Sequence, residues 1–299
     1  MTPVETAVRI ADLTVRYGRK TAVENATLAV SRGSVYALLG RNGAGKSSLV
    51  RCLVGQQKPT AGSIQLFGED AWTRRTQLME RVGVVSEEAD APPEMRVFEL
   101  ARFGASLYQR WDNGAVEERL RRFGIPSNAK YGDLSKGQKK QVSLALALAP
   151  APDLVILDDP TLGLDVVARK ALFEEVIAEL ADRGITVLLT THDLAGVETI
   201  ADRVAILRDG RLVLDEEMEA LKSRFRRVRF ASQPVAFTSG SLQAAAVRAW
   251  GAGTEAVVSN YDELAFERFR SASNITAAEV APLSLEEIFI AVTGEGAQS

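Results

Sequence analysis

The residues best equipped for chemistry are Gly40-Arg41-Asn42-Gly43-Ala44-Gly45-Lys46-Ser47, followed by Ser48. Glycines at this spacing let the backbone curl, so that successive N–H groups point at phosphate oxygens. A helix beginning where the loop ends turns its own N-terminus toward the same anion. Lys46 would then reach the β- and γ-phosphates, and the Ser47 hydroxyl would hold Mg²⁺. A bare match can arise in a glycine-rich turn. Here the loop stands between an apolar run, Val35 to Leu39, and a helical stretch ending at Gly55, which is the setting the chemistry needs. The expected ligand is ATP with Mg²⁺.

A second group is Leu154-Val155-Ile156-Leu157-Asp158-Asp159. Four apolar residues predict a central strand with acids at its C-terminal end, where open α/β sheets bind ligands. Alone this reads as a solvated strand end; beside the loop it reads as a Mg²⁺ site at Asp158. A third is Leu134-Ser135-Lys136-Gly137-Gln138. Ser135 and Gln138 have capping-box spacing, so the plain reading is a capped helix. Its free N–H groups, with Gly137 allowing close approach, could also receive an anion. The single histidine, His192, follows the apolar run TVLLTT. By itself it would be structural.

These residues need a scaffold, and the pattern supplies one. Val8 to Tyr17 and Ala22 to Val30 alternate as half-buried strands. Val35 to Leu39, Leu154 to Leu157 and Ile185 to Thr190 are continuous apolar runs, as strands buried on both faces require. Ser63 to Phe67 and Val82 to Val85 read as further strands. Arg96 to Gly124 is helical, with Val97, Leu100, Ala101, Leu107 and Tyr108 on one face. Leu134 to Ala149 and Val166 to Arg183 are helical, the latter closed by Gly184. Asp209-Gly210 marks a hairpin between Val204–Leu207 and Arg211–Leu214. Strands alternating with helices predict a mainly parallel sheet. The fold expected is α/β, with an antiparallel β element at the start and a helical insert between Val82 and Leu154. After Ala220 the pattern changes to a small α+β appendage, with short strands at Val228–Phe230, Ala256–Ser259 and Leu264–Phe266 and a helix at Leu285–Val292. The division expected is residues 1–220, with the helical part near 88–150, and 221–299.

Composition sets limits. The chain has 299 residues, 46% hydrophobic and 25% charged, enough to bury a core without disulfides or metal. One cysteine, Cys52, excludes an intramolecular disulfide and reads as a small buried hydrophobe. A net charge of −3 argues against a large nucleic-acid surface, and nucleic acid is not an expected partner. The N-terminal residues lack the apolar stretch of a signal peptide. No apolar run reaches the roughly 18 residues of a membrane span, so any membrane association is expected through a partner.

The order of the motifs resembles the ATP-binding cassette family, whose signature LSGGQ precedes the acidic strand. This chain shows LSKGQKKQ, then LVILDDPTLGLD, then TVLLTTHD, and the resemblance covers about Val8 to Leu221. It implies a P-loop NTPase fold and an ATPase that serves a transmembrane permease from the cytoplasmic face of the membrane. It also implies a second ATP-binding subunit, identical or different. Each ATP would be sandwiched between the loop of one subunit and the Ser135, Gly137 and Gln138 of the other. Tyr17 matches the aromatic that stacks on adenine. Gly163-Leu164-Asp165 matches the loop that crosses the dimer interface, and His192 the switch histidine at the γ-phosphate. SLYQRWD, LSKGQKKQVSLALALAP and SLEEIFIAVTG resemble subunits of ABC-2-type exporters, which carry a small C-terminal extension.

Two positions depart from the family pattern. Asp159 stands where the resemblance implies a glutamate acting as general base, and it is one methylene shorter. Glu87 stands at the hinge between strand and insert, where a glutamine at the Mg²⁺ is usual. The expectation is intact ATP binding with slow hydrolysis, or pairing with a subunit that carries the glutamate. A non-catalytic ATP-binding regulator is the rival that Asp159 keeps open. An ATPase acting on DNA or ribosomes would need coiled-coil inserts or a second cassette, and neither is present.

Overall fold

A computed structural model describes residues 5–88, 91–231, 242–275 and 277–294. The first residues of the expected helical insert after Glu88, and residues 232–241 of the appendage, lie outside these. The central sheet is six-stranded, in the order β10-β9-β3-β8-β7-β6. Its strands are β3 (Val35–Leu39), β6 (Val82–Val85), β7 (Leu154–Asp158), β8 (Thr186–Thr191), β9 (Arg203–Arg208) and β10 (Arg211–Glu217). All neighbours are parallel except β9 and β10. Those two form the hairpin, turning through Asp209 (φ 50°) and Gly210 (φ 81°).

A second sheet, β2-β1-β4-β5, lies against one face of the first. It contains β1 (Thr6–Tyr17), β2 (Lys20–Ser31), β4 (Ala61–Leu66) and β5 (Glu69–Asp70), and its pairings are antiparallel. Between the sheets, Val8, Ile10, Leu13 and Leu28 meet Leu38, Ile156 and Leu188. Alternate residues of the central strands, Ala37, Leu39, Val155, Leu157 and Leu189, face helices on the other side. Burial on both faces is why these strands read as unbroken apolar runs.

Helix α1 (Lys46–Leu53) follows the glycine-rich loop, and the short α2 (Arg75–Met79) precedes β6. The insert holds α3 (Val97–Leu107), α4 (Asn113–Arg122) and α5 (Lys136–Leu148), gathered on their own cluster of Val97, Leu100, Val116, Leu120, Tyr131 and Val142. The expected helical face is only partly right. The helix ends at Leu107, and that side chain is 62% exposed while Val97, Leu100 and Ala101 are buried. Helix α6 (Val166–Arg183) is capped at one end by Asp165 and stopped at the other by Gly184, in the left-handed conformation. The short α7 (Leu194–Val197) leads to β9, and α8 (Met218–Arg224) follows β10. Residue 220 thus falls inside α8, whose Met218 and Leu221 pack in the core.

The last part forms an antiparallel sheet, β12-β13-β11-β14. Its strands are β11 (Arg226–Phe230), β12 (Ala244–Trp250), β13 (Gly253–Val258) and β14 (Ala278–Pro282). Helix α9 (Glu263–Ala272) covers it, and α10 (Leu285–Thr293) packs back on the core. The strand expected at Leu264–Phe266 is a correction: these residues lie in α9. An N-cap starts the helix there, because the Asp262 carboxylate accepts the Ala265 N–H at 2.8 Å. Ala265, Phe266 and Phe269 then recur at helical spacing on the sheet.

Candidate functional site

Strand register assembles the site. Leu39 of β3 pairs with Thr191 of β8, and Thr190 of β8 pairs with Asp158 of β7. The residues that follow, Gly40, His192 and Asp159, therefore leave the same edge of the sheet side by side. This is the C-terminal edge, where parallel sheets present ligand sites.

The loop's path is fixed by two glycines. A Cβ at Gly40 would lie 2.6 Å from the Leu207 carbonyl oxygen, and one at Gly45 would lie 2.3 Å from that of Ala22. Gly45 also has φ 112° and caps α1, which begins at Lys46. The hairpin braces the loop from beneath, since the Gly210 N–H donates to the Ala44 carbonyl at 3.1 Å. Arg41, Asn42 and Gly43 are exposed at the rim and Ala44 is buried. Lys46 is buried, and its ammonium donates to the carbonyls of Gly40 at 2.7 Å and Arg41 at 3.4 Å. Burial lowers its pKa, and the charges of Asp159, Asp158 and Glu87 oppose that shift. The Lys46 side chain is thus held in the throat of the loop by two carbonyls. Ser47 and Ser48, half-buried, follow it in the first turn of α1.

Asp158 is buried and accepts the Thr190 hydroxyl at 2.5 Å. Asp159, also buried, has both carboxylate oxygens engaged. Oδ1 accepts the Thr191 hydroxyl at 3.3 Å, and Oδ2 lies 2.9 Å from His192 Nδ1. Its own N–H reaches the Thr190 carbonyl at 2.9 Å, while its φ of 46° turns the chain out of the sheet. The His192 side chain is 42% exposed. It lines a cavity of about 580 Å³ with Arg41, Asn42, Gly43, Arg208 and Thr293. Thr190 and Thr191 emerge as site residues that sequence reading passed over. Their signal was the threonine pair closing an apolar strand, but only the register gives each hydroxyl its carboxylate.

The remaining candidates do not line that cavity, and neither do Lys46, Ser47, Asp158 and Asp159. Ser135 caps α5 reciprocally with Gln138: the Ser135 hydroxyl accepts the Gln138 N–H at 3.2 Å, and the Gln138 side chain accepts the Ser135 N–H at 3.0 Å. Gly137 faces Leu164 and Ala168, so the start of α5 packs on the stretch before and into α6. Asp165 accepts the Ala168 N–H at 2.8 Å. Ser135, Gly137, Gln138 and Asp165 are not among the walls of the 580 Å³ cavity. Tyr17 ends β1, 42% exposed, and its hydroxyl donates to Gln57 at 2.5 Å and lies 3.4 Å from Ser48 Oγ. Glu87 is exposed just beyond β6. Cys52 is buried and unpaired, and burial pushes its thiol up to about 11.

The donor set suits a nucleotide bound with Mg²⁺. The loop offers N–H groups, a buried ammonium and a hydroxyl, with carboxylates opposite. Among the described residues no three His, Cys, Asp or Glu side chains gather to hold a metal by themselves. Mg²⁺ is commonly bound by one or two protein ligands with the substrate's phosphates, and Ser47 with Asp158 would suffice. A glycine-rich loop between a parallel strand and a helix, with acids on a nearby strand, defines a mononucleotide-binding P-loop protein. Comparisons narrow the class. A family model described as ABC transporter matches residues 23–162. The bacitracin transport ATP-binding protein BcrA of Bacillus licheniformis is 32% identical over 226 residues, covering 75% of this chain and 74% of its own length. A fluoroquinolones export ATP-binding protein of Mycobacterium tuberculosis is 33% identical over 298 residues, covering 96% of this chain and 93% of its own. Among solved structures, the ATP-binding subunit of an ABC transporter superposes with a TM-score of 0.67 at 30% identity, covering 73% of this chain and 92% of that one. The chain belongs to the ATP-binding subunits of ABC transporters, and is an ATPase of that family. Among the described residues no helix is long and apolar enough to cross a membrane.

Proposed function

We propose that the chain binds MgATP on the loop after β3, hydrolyses it slowly through Asp159 and His192, and drives export through a membrane permease. The observation that carries this reading is the row of strand ends. It sets the phosphate loop, the Asp158 carboxylate and the Asp159–His192 pair along one edge of one sheet. The loop N–H groups and Lys46 hold the phosphates. Ser47 and Asp158 would hold Mg²⁺, with Glu87 as a further ligand from the exposed end of β6. Bound Mg²⁺ neutralises charge on the phosphates. With Nδ1–H donated to Asp159, a neutral His192 keeps Nε2 to accept a hydrogen bond from water, whereas contact with the γ-phosphate needs a donor Nε2–H on an imidazolium. Asp159 is then occupied in orienting that imidazole. A carboxylate so engaged is a poorer proton acceptor than a free one, which supports slow turnover.

One subunit supplies half of each site. Ser135 and Gly137 open α5 outside the walls of their own chain's loop cavity, which suits contact with the nucleotide of a second ATP-binding subunit, identical or different. Val166 and Val167, more than three-quarters exposed beside Asp165, would be covered by that contact. The permease would engage the insert. An apolar groove of about 840 Å³, walled by Met79, Met95, Phe103, Tyr108 and Trp111, reaches Ser86 and Glu88. A membrane partner seated there would touch the segment that bears Glu87 and would hold the chain at the cytoplasmic face. Export is proposed because the relatives described are named for transport or export. The described residues from β11 to α10 carry their own sheet and are proposed to form an extension that begins at β11 and returns to the core through α10.

Equilibrium binding tests the core of this reading. Lys46→Ala is expected to abolish MgATP binding by the purified chain at concentrations that saturate the parent. Retained affinity would refute the loop assignment. Co-purification of a membrane protein whose yield falls when Phe103 and Trp111 are changed to serine would support the groove. Equal yield would sink it.

A further inference from the structure

Helix α5 is notable at its start for Ser135 and Gly137, yet its least expected side chain comes one turn later. Lys140 shares a helical face with Leu144 and Leu148, and all three are buried. The helix packs on β6, and the Lys140 ammonium donates to the Ser86 carbonyl at 2.5 Å. Ser86 links the end of β6 to Glu87. Burial lowers the Lys140 pKa, and the charges of Asp158, Asp159, Glu87 and Glu88 oppose that shift, as the first three do at Lys46. Two buried lysines, from α1 and α5, therefore face one group of acids.

The role of Lys46 follows from the phosphate loop, but nothing in the loop accounts for Lys140. Removing an ammonium from water is costly unless charges repay it. A hydrogen bond to one carbonyl needs only a neutral donor. The charge itself calls for compensation, and the acids supply part of it. Glu87 adds a third carboxylate to Asp158 and Asp159 near a site that must accept anionic phosphates. Like charges repel, and the burial of Asp158 and Asp159 strengthens the effect on them.

We propose that Lys140 is a positioning residue of the nucleotide site, which fixes the Ser86–Glu87 segment and supplies the countercharge that lets Glu87 stand near Asp158 and Asp159. This rests on the reading that places MgATP against those carboxylates. Glu87 and Lys140 then form a matched pair: the acid is tolerated because the lysine is there. Sequence reading missed it because Lys140 sits in a run of polar residues, KGQKKQ. Only the helical phase, with Leu144 and Leu148 at i+4 and i+8, marks it as inward.

A double-mutant cycle on the full chain tests the pairing. Lys140→Met, Glu87→Gln and the double variant are compared for MgATP affinity across a Mg²⁺ titration, with melting temperature recorded in parallel. Lys140→Met alone is expected to weaken MgATP binding by about tenfold, and adding Glu87→Gln to recover most of that loss. If Lys140→Met weakens binding equally in both backgrounds, the lysine acts independently of Glu87 and the proposal is overturned. Should Lys140→Met not fold, Lys140→Gln carries the same cycle, because it keeps a donor for Ser86 and removes only the charge. Parental affinity in Lys140→Gln would overturn the proposal too. The Lys46→Ala measurement, read separately, reports on the nucleotide site itself: its failure would remove the loop assignment, whereas additivity in the cycle removes Lys140 alone.

Discussion

Replacing Asp159 by asparagine should slow hydrolysis without weakening nucleotide binding. The carboxylate makes two contacts, Oδ2 with His192 Nδ1 at 2.9 Å and Oδ1 with the Thr191 hydroxyl at 3.3 Å. An amide of the same size has one acceptor and one donor end. It cannot accept from both partners, and it carries no charge. The hydrogen bond it weakens is charge-assisted, a class that contributes about 1.5–3 kcal/mol. If the imidazole is useful only when held, the transition state loses that amount, and the rate falls roughly 10- to 150-fold. MgATP is gripped by the loop and Lys46, so affinity should stay within about threefold of the parent. Neutralising a carboxylate near phosphate would, if anything, tighten it. The assay is single-turnover hydrolysis of γ-labelled ATP, with affinity measured separately by equilibrium binding. His192→Ala completes the test, since two residues acting as one unit give a double variant no slower than the slower single. A rate within about twofold of the parent, or losses that multiply in the double variant, would refute the pairing.

Two further outcomes follow from contacts outside the site. Arg119 of α4 donates to Glu175 of α6 at 2.7 Å and pairs with Glu179, all three side chains being less than a tenth exposed. Arg119→Met should therefore destabilise the chain by about 3 kcal/mol, the low end for breaking a buried pair, because Glu175 and Glu179 lose their buried partner and keep only the more exposed Arg122 and Arg183; urea denaturation measures this, and a change below about 1 kcal/mol would contradict a buried latch between insert and core. Glu198 accepts the Lys222 ammonium at 2.5 Å and the Leu285 N–H at 2.9 Å, tying α8 and α10 together. Burial pushes its carboxyl up, but those two donors outweigh it and hold the pKa below the usual 4.5. A depressed carboxyl stabilises at neutral pH and loses that contribution as pH falls from 4.5 through the lowered value. Protection factors of the α10 amides, corrected for the intrinsic pH dependence of exchange, should fall over that acid range, and Glu198→Gln should lower them already at pH 7; parental protection of α10 in the variant would count against the tie.

What was legible in the sequence was whatever depends on neighbours along the chain. The phosphate loop, the hairpin turn at Asp209-Gly210 and the helix from Val166 to Arg183 with its Gly184 stop follow from local geometry, and each lies where the residues imply. The parallel strands were legible because burial on both faces leaves an unbroken apolar run. The α9 segment was misread because three residues, Leu264 to Phe266, carry no usable period; the Asp262 cap that settles it lies outside them. Thr190, Thr191 and Lys140 were invisible for another reason. Their roles depend on strand register and helical phase, which set partners far away in sequence. At Ser135 the two readings coincide in one residue. Its hydroxyl caps α5 in this chain, and a cap holds the first N–H groups of the helix in a fixed direction, which is what an anion from another subunit would need.

Asp159 shows how the shorter acid can fit a site of this family. Its φ of 46° is left-handed, a conformation that costs most residues about 1–2 kcal/mol but that aspartate adopts more readily. The N–H of Asp159 still bonds to β8 through the Thr190 carbonyl, so the backbone stays on the sheet for one residue more before it turns. That turn brings a short side chain within 2.9 Å of His192. Side-chain length and backbone conformation are therefore linked here. A glutamate on the same backbone would extend past the imidazole and could act on water directly. An aspartate stops at the imidazole and orients it. Asp159→Glu separates the two arrangements: faster single-turnover hydrolysis with less dependence on His192 would mean that the shorter acid restrains the rate. If Asp159→Glu instead turns over more slowly and still depends on His192, the backbone turn and the aspartate are matched to the histidine, and it is His192 that meets the water.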